Sequence, residues 1–205
     1  ADTALVSETY GGATQGWFVP KYATEPGQPL EGLKSITQIN DYADKLDGKL
    51  YDADAGWVTS QQNKKRIAAY GLNVKQSNSS EAALIAQVGR AFGKKEPILF
   101  YFYHPHWLFQ KYDVVQLEEP DAFDAATSFK TNDKSAIPTL AAWIAARQDL
   151  ETRAPKFYAA LKNVKIPLAD IEGLLQQVDS EKKKPADVAQ AWVTEHKTEI
   201  DQWVS

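Results

Sequence analysis

Residues 97–103 read Pro-Ile-Leu-Phe-Tyr-Phe-Tyr and form the strongest strand pattern in the chain. An apolar run this short, without polar alternation, is typical of a strand buried on both faces. Short strand patterns and helical patterns alternate along the sequence around it. The strand patterns lie at 16–19, 49–51, 73–75 and 112–117, and the helical patterns at 35–46, 58–70 and 79–92. This alternation predicts an α/β fold with a mainly parallel sheet and helices on its faces.

The sequence changes character at residue 119 and becomes mostly helical. Amphipathic helices are predicted at 149–162, 168–178 and 185–203. Residues 141–145 could form a short strand or a helix, and periodicity does not decide between them. The second half of the chain thus has many helices and little sheet on which to pack them.

The composition excludes several classes of function. The 205 residues are 43% hydrophobic and 24% charged, with a net charge of −4, so the chain lacks the basic surface typical of nucleic-acid binding. It has no cysteine, which excludes disulfides, thiol catalysis and cysteine-held metals. It also has no methionine. We therefore expect a processed, trimmed or excised chain from which any signal peptide has gone.

Motifs for catalysis are missing. The sequence has no G-x-S-x-G, no phosphate-binding G-x-x-x-x-G-K-[ST] and no dinucleotide-binding G-x-G-x-x-G. His104 and His106 could share a metal on a strand, but a zinc site would need a further ligand. Asp52 and Asp54 could act as acid and base, although such turn residues more often bond their own backbone. We predict no enzymatic activity, no metal and no cofactor.

Two aromatic clusters follow predicted strands. Trp57 precedes the predicted N-terminus of a helix at Val58 and Thr59, where free backbone N–H groups favour an anion. The second cluster, residues 103–107, reads Tyr-His-Pro-His-Trp and follows the strongest strand. Ligands of open α/β sheets bind beyond the carboxyl ends of the strands. An aromatic wall beside an anion site suits a small zwitterion with a quaternary ammonium group, although both clusters could equally be core.

Four segments resemble the substrate-binding proteins of glycine betaine/choline-type ABC transporters, the osmoprotectant-uptake family. They are YGGATQGWFVPKY at 10–22, EPILFYFYHPHW at 96–107, KYDVVQLEEP at 111–120, and APKFYAALKN with IPL between 154 and 168. The resemblance implies a two-lobed, hinged periplasmic-binding-protein fold of type II that closes around its ligand. It implies a complete second lobe at 15–118, with 1–14 and 119–205 forming the hinge lead-in and the helical part of the first lobe. The family's N-terminal part is expected to be missing, and with it about half of the ligand site.

The resemblance also implies ligand-binding residues. Trp57 matches a tryptophan of the family's aromatic cage, and the N–H groups of Val58 and Thr59 match amides that meet the ligand carboxylate. Tyr103 stands where the family usually has another cage tryptophan. We therefore expect Trp57 and Tyr103 to face the cleft between the lobes.

The role of the residues after Tyr103 stays open. His106 fits the family motif and could donate to a ligand carboxylate, or it could bond a nearby backbone group. Trp107 could pack beneath the site or contact the ligand, and His104 is a further possible contact.

These observations predict an extracytoplasmic, periplasmic solute-binding protein that captures a betaine- or choline-like compound. It would deliver this compound to an ABC transporter permease, which would keep it associated with the membrane. The alternative is a truncated form that binds no osmolyte and acts as an interaction or assembly module. It would then pair with itself through the surface of the missing lobe, where Trp143, Trp192 and Trp203 would lie exposed.

Overall fold

The computed structural model describes residues 2–204, and they form two compact units. The first, here called the sheet unit, contains residues 15–103 and 111–138. The second, here called the helical unit, contains the described residues of 1–14, 104–110 and 139–205. The chain therefore passes between the units at four points of its sequence.

The strands of the described residues are β1 (Thr3–Ala13), β2 (Gln15–Pro20), β3 (Lys49–Asp52), β4 (Lys75–Asn78), β5 (Phe100–Tyr103), β6 (Val114–Gln116) and β7 (Leu140–Arg147). The α-helices are α1 (Lys21–Thr24), α2 (Ile39–Tyr42), α3 (Val58–Ala69), α4 (Glu81–Lys94), α5 (Leu108–Lys111), α6 (Leu150–Arg153), α7 (Pro155–Asn163), α8 (Leu168–Leu175), α9 (Pro185–Glu195) and α10 (Lys197–Trp203). Short 3₁₀ segments flank α2, and a π-helical segment follows α8.

The sheet unit has a five-stranded sheet in the order β4-β3-β5-β2-β6. Strand β3 runs parallel to β4 and β5, whereas β2 runs antiparallel to β5 and β6. Strand β6 opposes β2 and so runs in the same direction as β3, β4 and β5. The sheet is therefore mainly parallel, as predicted, with β2 alone reversed. The connections through α3 and α4 are helical crossovers, which make β3, β4 and β5 parallel. Nothing in the local pattern reports the direction of β2 relative to its neighbours.

The core of the sheet unit explains why residues 97–103 lack polar alternation. Strand β5 lies between β3 and β2, and its residues Phe100, Tyr101 and Phe102 are all buried. A strand covered on both faces needs apolar residues at every position. Trp17 on β2 is also buried in this core.

The helical unit contains a two-stranded antiparallel sheet of β1 and β7. Residues 141–145 are thus part of a strand, which resolves the ambiguity of that segment, and β1 was not predicted. The predicted helix at 149–162 is divided into α6 and α7 at Ala154, whose backbone is not helical because Pro155 follows it. The predicted helix at 185–203 is divided into α9 and α10 at His196.

The two units and the predicted lobes have different boundaries. Residues 104–110 belong to the helical unit, and 119–138 belong to the sheet unit. The sequence predicted 104–110 to be part of the second lobe, at 15–118, and 119–138 to be part of the first. Segment 119–138 is tied to α3 and its C-cap, because Glu119 pairs with Arg66 and Asp121 accepts a hydrogen bond from Tyr70. The interpretation of the units as the family's two lobes stays a prediction.

Candidate functional site

The carboxyl ends of three parallel strands carry the candidate site. Strands β3, β4 and β5 point the same way, so their carboxyl ends meet at one edge of the sheet. Trp57 follows β3, Glu81 follows β4, and Tyr103 is the last residue of β5. This is the edge at which open α/β sheets bind ligands.

The side chains of Trp57 and Tyr103 come together at this edge. Their ring centroids lie 5.9 Å apart, and the ring planes make an angle of 53°. Trp57 is 38% exposed and Tyr103 is partly buried. A cation is attracted to an aromatic face within about 6 Å of its centroid, so one cation can lie in range of both rings. The structure thus brings together the two aromatic residues that the sequence proposed.

A buried carboxylate holds the segment that leads to Trp57. Asp52 accepts hydrogen bonds from the Ala53 N–H at 2.7 Å, the Ser60 hydroxyl at 3.3 Å, and the amides of Asn63 and Gln76 at 2.9 and 2.7 Å. It is completely buried. Its carboxylate therefore joins the end of β3 to α3 and β4.

The turn that follows β3 is closed by Asp54. The Gly56 N–H donates to its carboxylate at 2.8 Å, and the Trp57 N–H donates to its carbonyl oxygen at 3.0 Å. Asp52 and Asp54 thus bond nearby backbone and side-chain groups, in line with the structural role that the sequence favoured over acid–base chemistry.

Val58 and Thr59 are the first two residues of α3. The N–H of Gln61 donates to the carbonyl of Trp57 at 3.1 Å, and the N–H groups that precede it have no acceptor in the ideal helical pattern. The Val58 side chain is 72% exposed. Thr59 lies beside the phenol of Tyr101, which donates a hydrogen bond to Gln15 Oε1 at 2.7 Å, and burial raises the pKa of this phenol to about 12.

Tyr103 is also bonded to Glu81, which the sequence did not single out. Its hydroxyl donates to the Glu81 carboxylate at 2.5 Å, and its ring stacks on Phe102 with centroids 5.3 Å apart. Burial and the neighbouring Glu81 raise the pKa of Tyr103 above its usual range. The phenol therefore keeps its proton at neutral pH. The only sequence signal near Glu81 was the start of the helical pattern predicted at 79–92.

His104 and His106 belong to the helical unit. Nδ1 of His104 lies 2.5 Å from Oε1 of Glu172, and its ring stacks on Phe109 at 3.6 Å. His106 is buried, and its Nδ1 accepts a hydrogen bond from the Leu108 N–H at 3.0 Å. This is the backbone contact that was one of the two alternatives for His106.

Trp107 lies beside His106, with ring centroids 5.3 Å apart, and it is half-buried. Within residues 2–204, no three His, Asp or Glu side chains cluster in a way that could hold a metal. In the same range, no helix has the length and apolar character required to cross a bilayer.

Helix α3 carries a buried polar network that was not predicted from the sequence. Ser60, Asn63 and Arg66 form its buried face. The Arg66 guanidinium pairs with Glu119, donates to Asn63 Oδ1 at 3.0 Å and lies 5.2 Å from the Trp17 ring centroid. Burial lowers the pKa of Arg66 to about 10, which leaves it charged at neutral pH. Arg66 and Glu119 also line a pocket of about 300 Å³. The polar residues at three-residue spacing were the available signal.

Comparison with known proteins identifies the family. A family model described as the substrate-binding domain of an ABC-type glycine betaine transport system matches residues 1–195. The chain belongs to this family. The family consists of substrate-binding domains of transporters and not of enzymes, in agreement with the prediction of no enzymatic activity.

Among curated relatives, the glycine betaine/proline betaine-binding periplasmic protein of Salmonella typhimurium is 26% identical over 94% of this chain. The glycine betaine/carnitine transport binding protein of Listeria monocytogenes is 26% identical over 74% of it. The chain covers 64% of the first relative and 47% of the second. It thus spans about half to two thirds of the length of these relatives.

Solved structures show the same fold. The lactococcal protein in its closed form with glycine betaine has a TM-score of 0.71 and 22% identity, covering 99% of this chain and 71% of its own. A choline binding protein in complex with choline has a TM-score of 0.69 and 22% identity, covering 98% of this chain and 66% of its own. The prediction of a type II periplasmic-binding-protein fold is therefore confirmed.

Proposed function

We propose that this chain is part of an extracytoplasmic solute-binding protein that captures a quaternary ammonium osmolyte of the glycine betaine or choline type for an ABC importer. The observation that carries the proposal is the pairing of Trp57 with Tyr103 at the carboxyl edge of the parallel strands. Membership of the family, and the ligands for which its relatives are named, support the ligand class.

The proposed site combines a cation partner with an anion partner. A quaternary ammonium group has no N–H to donate, so aromatic faces are its usual protein partners. The N-terminus of α3 begins immediately after Trp57, and the amides of Val58 and Thr59 would meet the carboxylate of a betaine. Further contacts with the ligand are predicted for His106, Trp107 and His104. In the structure His104 contacts Glu172, and His106 accepts a hydrogen bond from the Leu108 N–H.

A permease of an ABC transporter is the proposed partner, and the proposed location is the periplasm or another extracytoplasmic compartment. The periplasmic relative from Salmonella supports this location. The alternative, an interaction module, would have its three tryptophans exposed. Trp143 is 50% exposed, but the Trp192 indole donates to Asp170 and stacks on His196. Self-association stays a prediction.

The test is calorimetric titration of the chain with glycine betaine and with choline, into the millimolar range. Replacing Trp57 by Ala should weaken the binding of both ligands by about 2- to 30-fold, because it removes one of two aromatic faces. Trp143→Ala is the matched control, since Trp143 is also exposed but lies in the helical unit. Equal affinities for Trp57→Ala and the unaltered chain would show that Trp57 is not part of the site.

A further inference from the structure

Glu81 is bonded directly to one member of the aromatic pair. It is the first residue of α4, whose N-cap is Ser80. Its carboxylate accepts the hydroxyl proton of Tyr103, and the same Tyr103 ring lies 5.9 Å from the ring of Trp57. Glu81 and Tyr103 are 22 residues apart in sequence and meet because β4 and β5 end at the same edge of the sheet.

A charged acceptor changes what a tyrosine ring offers to a cation. A hydrogen bond to a carboxylate is stronger than a neutral one, and it draws the proton away from the phenol oxygen. The oxygen then carries more negative charge and shares it with the ring. A cation is attracted to the negative face of a ring, so this hydrogen bond strengthens the attraction.

The same hydrogen bond also fixes the direction of the ring. The Tyr103 ring stacks on Phe102 with only 7° between their planes, and the bond to Glu81 anchors its far end. A ring that is held by both a stacked neighbour and a hydrogen bond has little rotational freedom to lose when a ligand binds, which favours affinity.

We propose that Glu81 is a positioning residue of the ligand site, which acts through the Tyr103 phenol to orient this ring and to make it more attractive to a quaternary ammonium group. This inference rests on the proposed function, because it assumes that Trp57 and Tyr103 hold the cation. Glu81 would then contribute to the ligand site without contacting the ligand. The inference also predicts that the site prefers a cationic ligand over an uncharged one of the same shape.

The experiment compares choline with 3,3-dimethylbutan-1-ol, which has the same shape but a carbon in place of the charged nitrogen. Glu81→Gln removes the charge and keeps an oxygen that can accept the phenol proton. It should weaken choline binding by about 2- to 5-fold and change alcohol binding by less than about 2-fold. Glu81→Ala, which also releases the ring, should weaken the binding of both ligands. Circular dichroism will show that the variants are folded.

Two controls separate an effect through the phenol from other effects. Glu96→Gln makes the same change of charge beyond the opposite end of α4, about 20 Å along the helix, and should leave both affinities unchanged. Tyr103→Phe removes the hydroxyl that joins Glu81 to the ring. In this background, Glu81→Gln should change choline affinity by less than it does in the unaltered chain.

Three results would overturn the inference. They are equal losses of choline and alcohol binding in Glu81→Gln, no loss of either, or a choline effect of the same size in the Tyr103→Phe background. Binding of neither glycine betaine nor choline to the unaltered chain would instead refute the proposed function, and the role of Glu81 with it. The two failures are therefore distinguishable.

Discussion

Replacing Asp52 by Asn should lower the stability of the sheet unit by about 2–4 kcal/mol, because an amide cannot accept every hydrogen bond that the carboxylate accepts. One oxygen of Asp52 faces the Ala53 N–H and the Ser60 hydroxyl, and the other faces the amides of Asn63 and Gln76. An asparagine has one oxygen and one NH₂ group for these two positions.

The neighbouring amides cannot turn around to relieve the conflict. The oxygen of Asn63 already accepts from the Trp17 indole at 2.9 Å and from Arg66 at 3.0 Å. The Gln76 NH₂ group also donates to the Ser60 carbonyl at 2.7 Å. In one orientation the NH₂ group of the new Asn therefore faces the fixed NH₂ donors of Asn63 and Gln76. In the other orientation it faces the Ala53 N–H. Each buried polar group left without a partner costs about 1–3 kcal/mol. In the less costly orientation two groups, the Ala53 N–H and the N–H of the new amide that faces it, lose their acceptor, and about 1–2 kcal/mol for each gives the expected range.

The assay is urea unfolding followed by circular dichroism, with Asp54→Asn as the matched control. Asp54 accepts the Gly56 N–H at 2.8 Å and is exposed, so an amide oxygen can replace its carboxylate with a change within about 0.5 kcal/mol. With a slope of about 2 kcal/mol per molar urea, Asp52→Asn should unfold about 1–2 M earlier. Equal midpoints for the two variants would refute the structural role of the Asp52 carboxylate.

Two further predictions concern single backbone positions. Val58→Pro removes the first N–H of α3 at a position where proline fits a helix, and the extended Trp57 before it is compatible with proline. The affinity for glycine betaine, which has a carboxylate, should fall by about 3- to 10-fold relative to Val58→Ala, and the affinity for choline should not change. Calorimetry measures both affinities, and an equal fall for the two ligands would contradict the prediction. Gly71→Ala should destabilise by about 1 kcal/mol, because φ is 61° there. Gly93→Ala, in α4 with open space around its Cβ, should stabilise by about 0.5–1 kcal/mol. Thermal unfolding measures the change in stability of both variants. A change of the same sign for Gly71→Ala and Gly93→Ala would contradict the role given to backbone conformation at these two glycines.

Much of the local structure was readable from short stretches of sequence. Ser80 lies at the start of the helical pattern predicted at 79–92, and its hydroxyl accepts the Ala83 N–H at 3.3 Å as the N-cap of α4. Ser35 likewise begins the helical segment that precedes β3, with a capping box to Gln38. Caps act over three or four residues, so the sequence contains all the information that they need.

The candidate site was readable only in part. Trp57 and Tyr103 were singled out because each follows a predicted strand, and parallel strands end at the same edge of a sheet. Glu81 was missed because no local pattern indicates that a residue at the start of α4 will bond a side chain at the end of β5. Arg66 was missed for the same reason, since its partner Glu119 lies 53 residues further along the chain.

The sequence by itself determined the family, the strand and helix alternation between 49 and 103, and the aromatic residues at the strand ends. These depend on residue identity and on spacing over a few positions. Only the tertiary structure decided the antiparallel direction of β2, the pairing of β1 with β7, the unit to which 104–110 and 119–138 belong, and the link between Glu81 and Tyr103. Each of these depends on the pairing of segments that are distant in sequence, and such pairing is selected by the burial and hydrogen bonding of the whole chain.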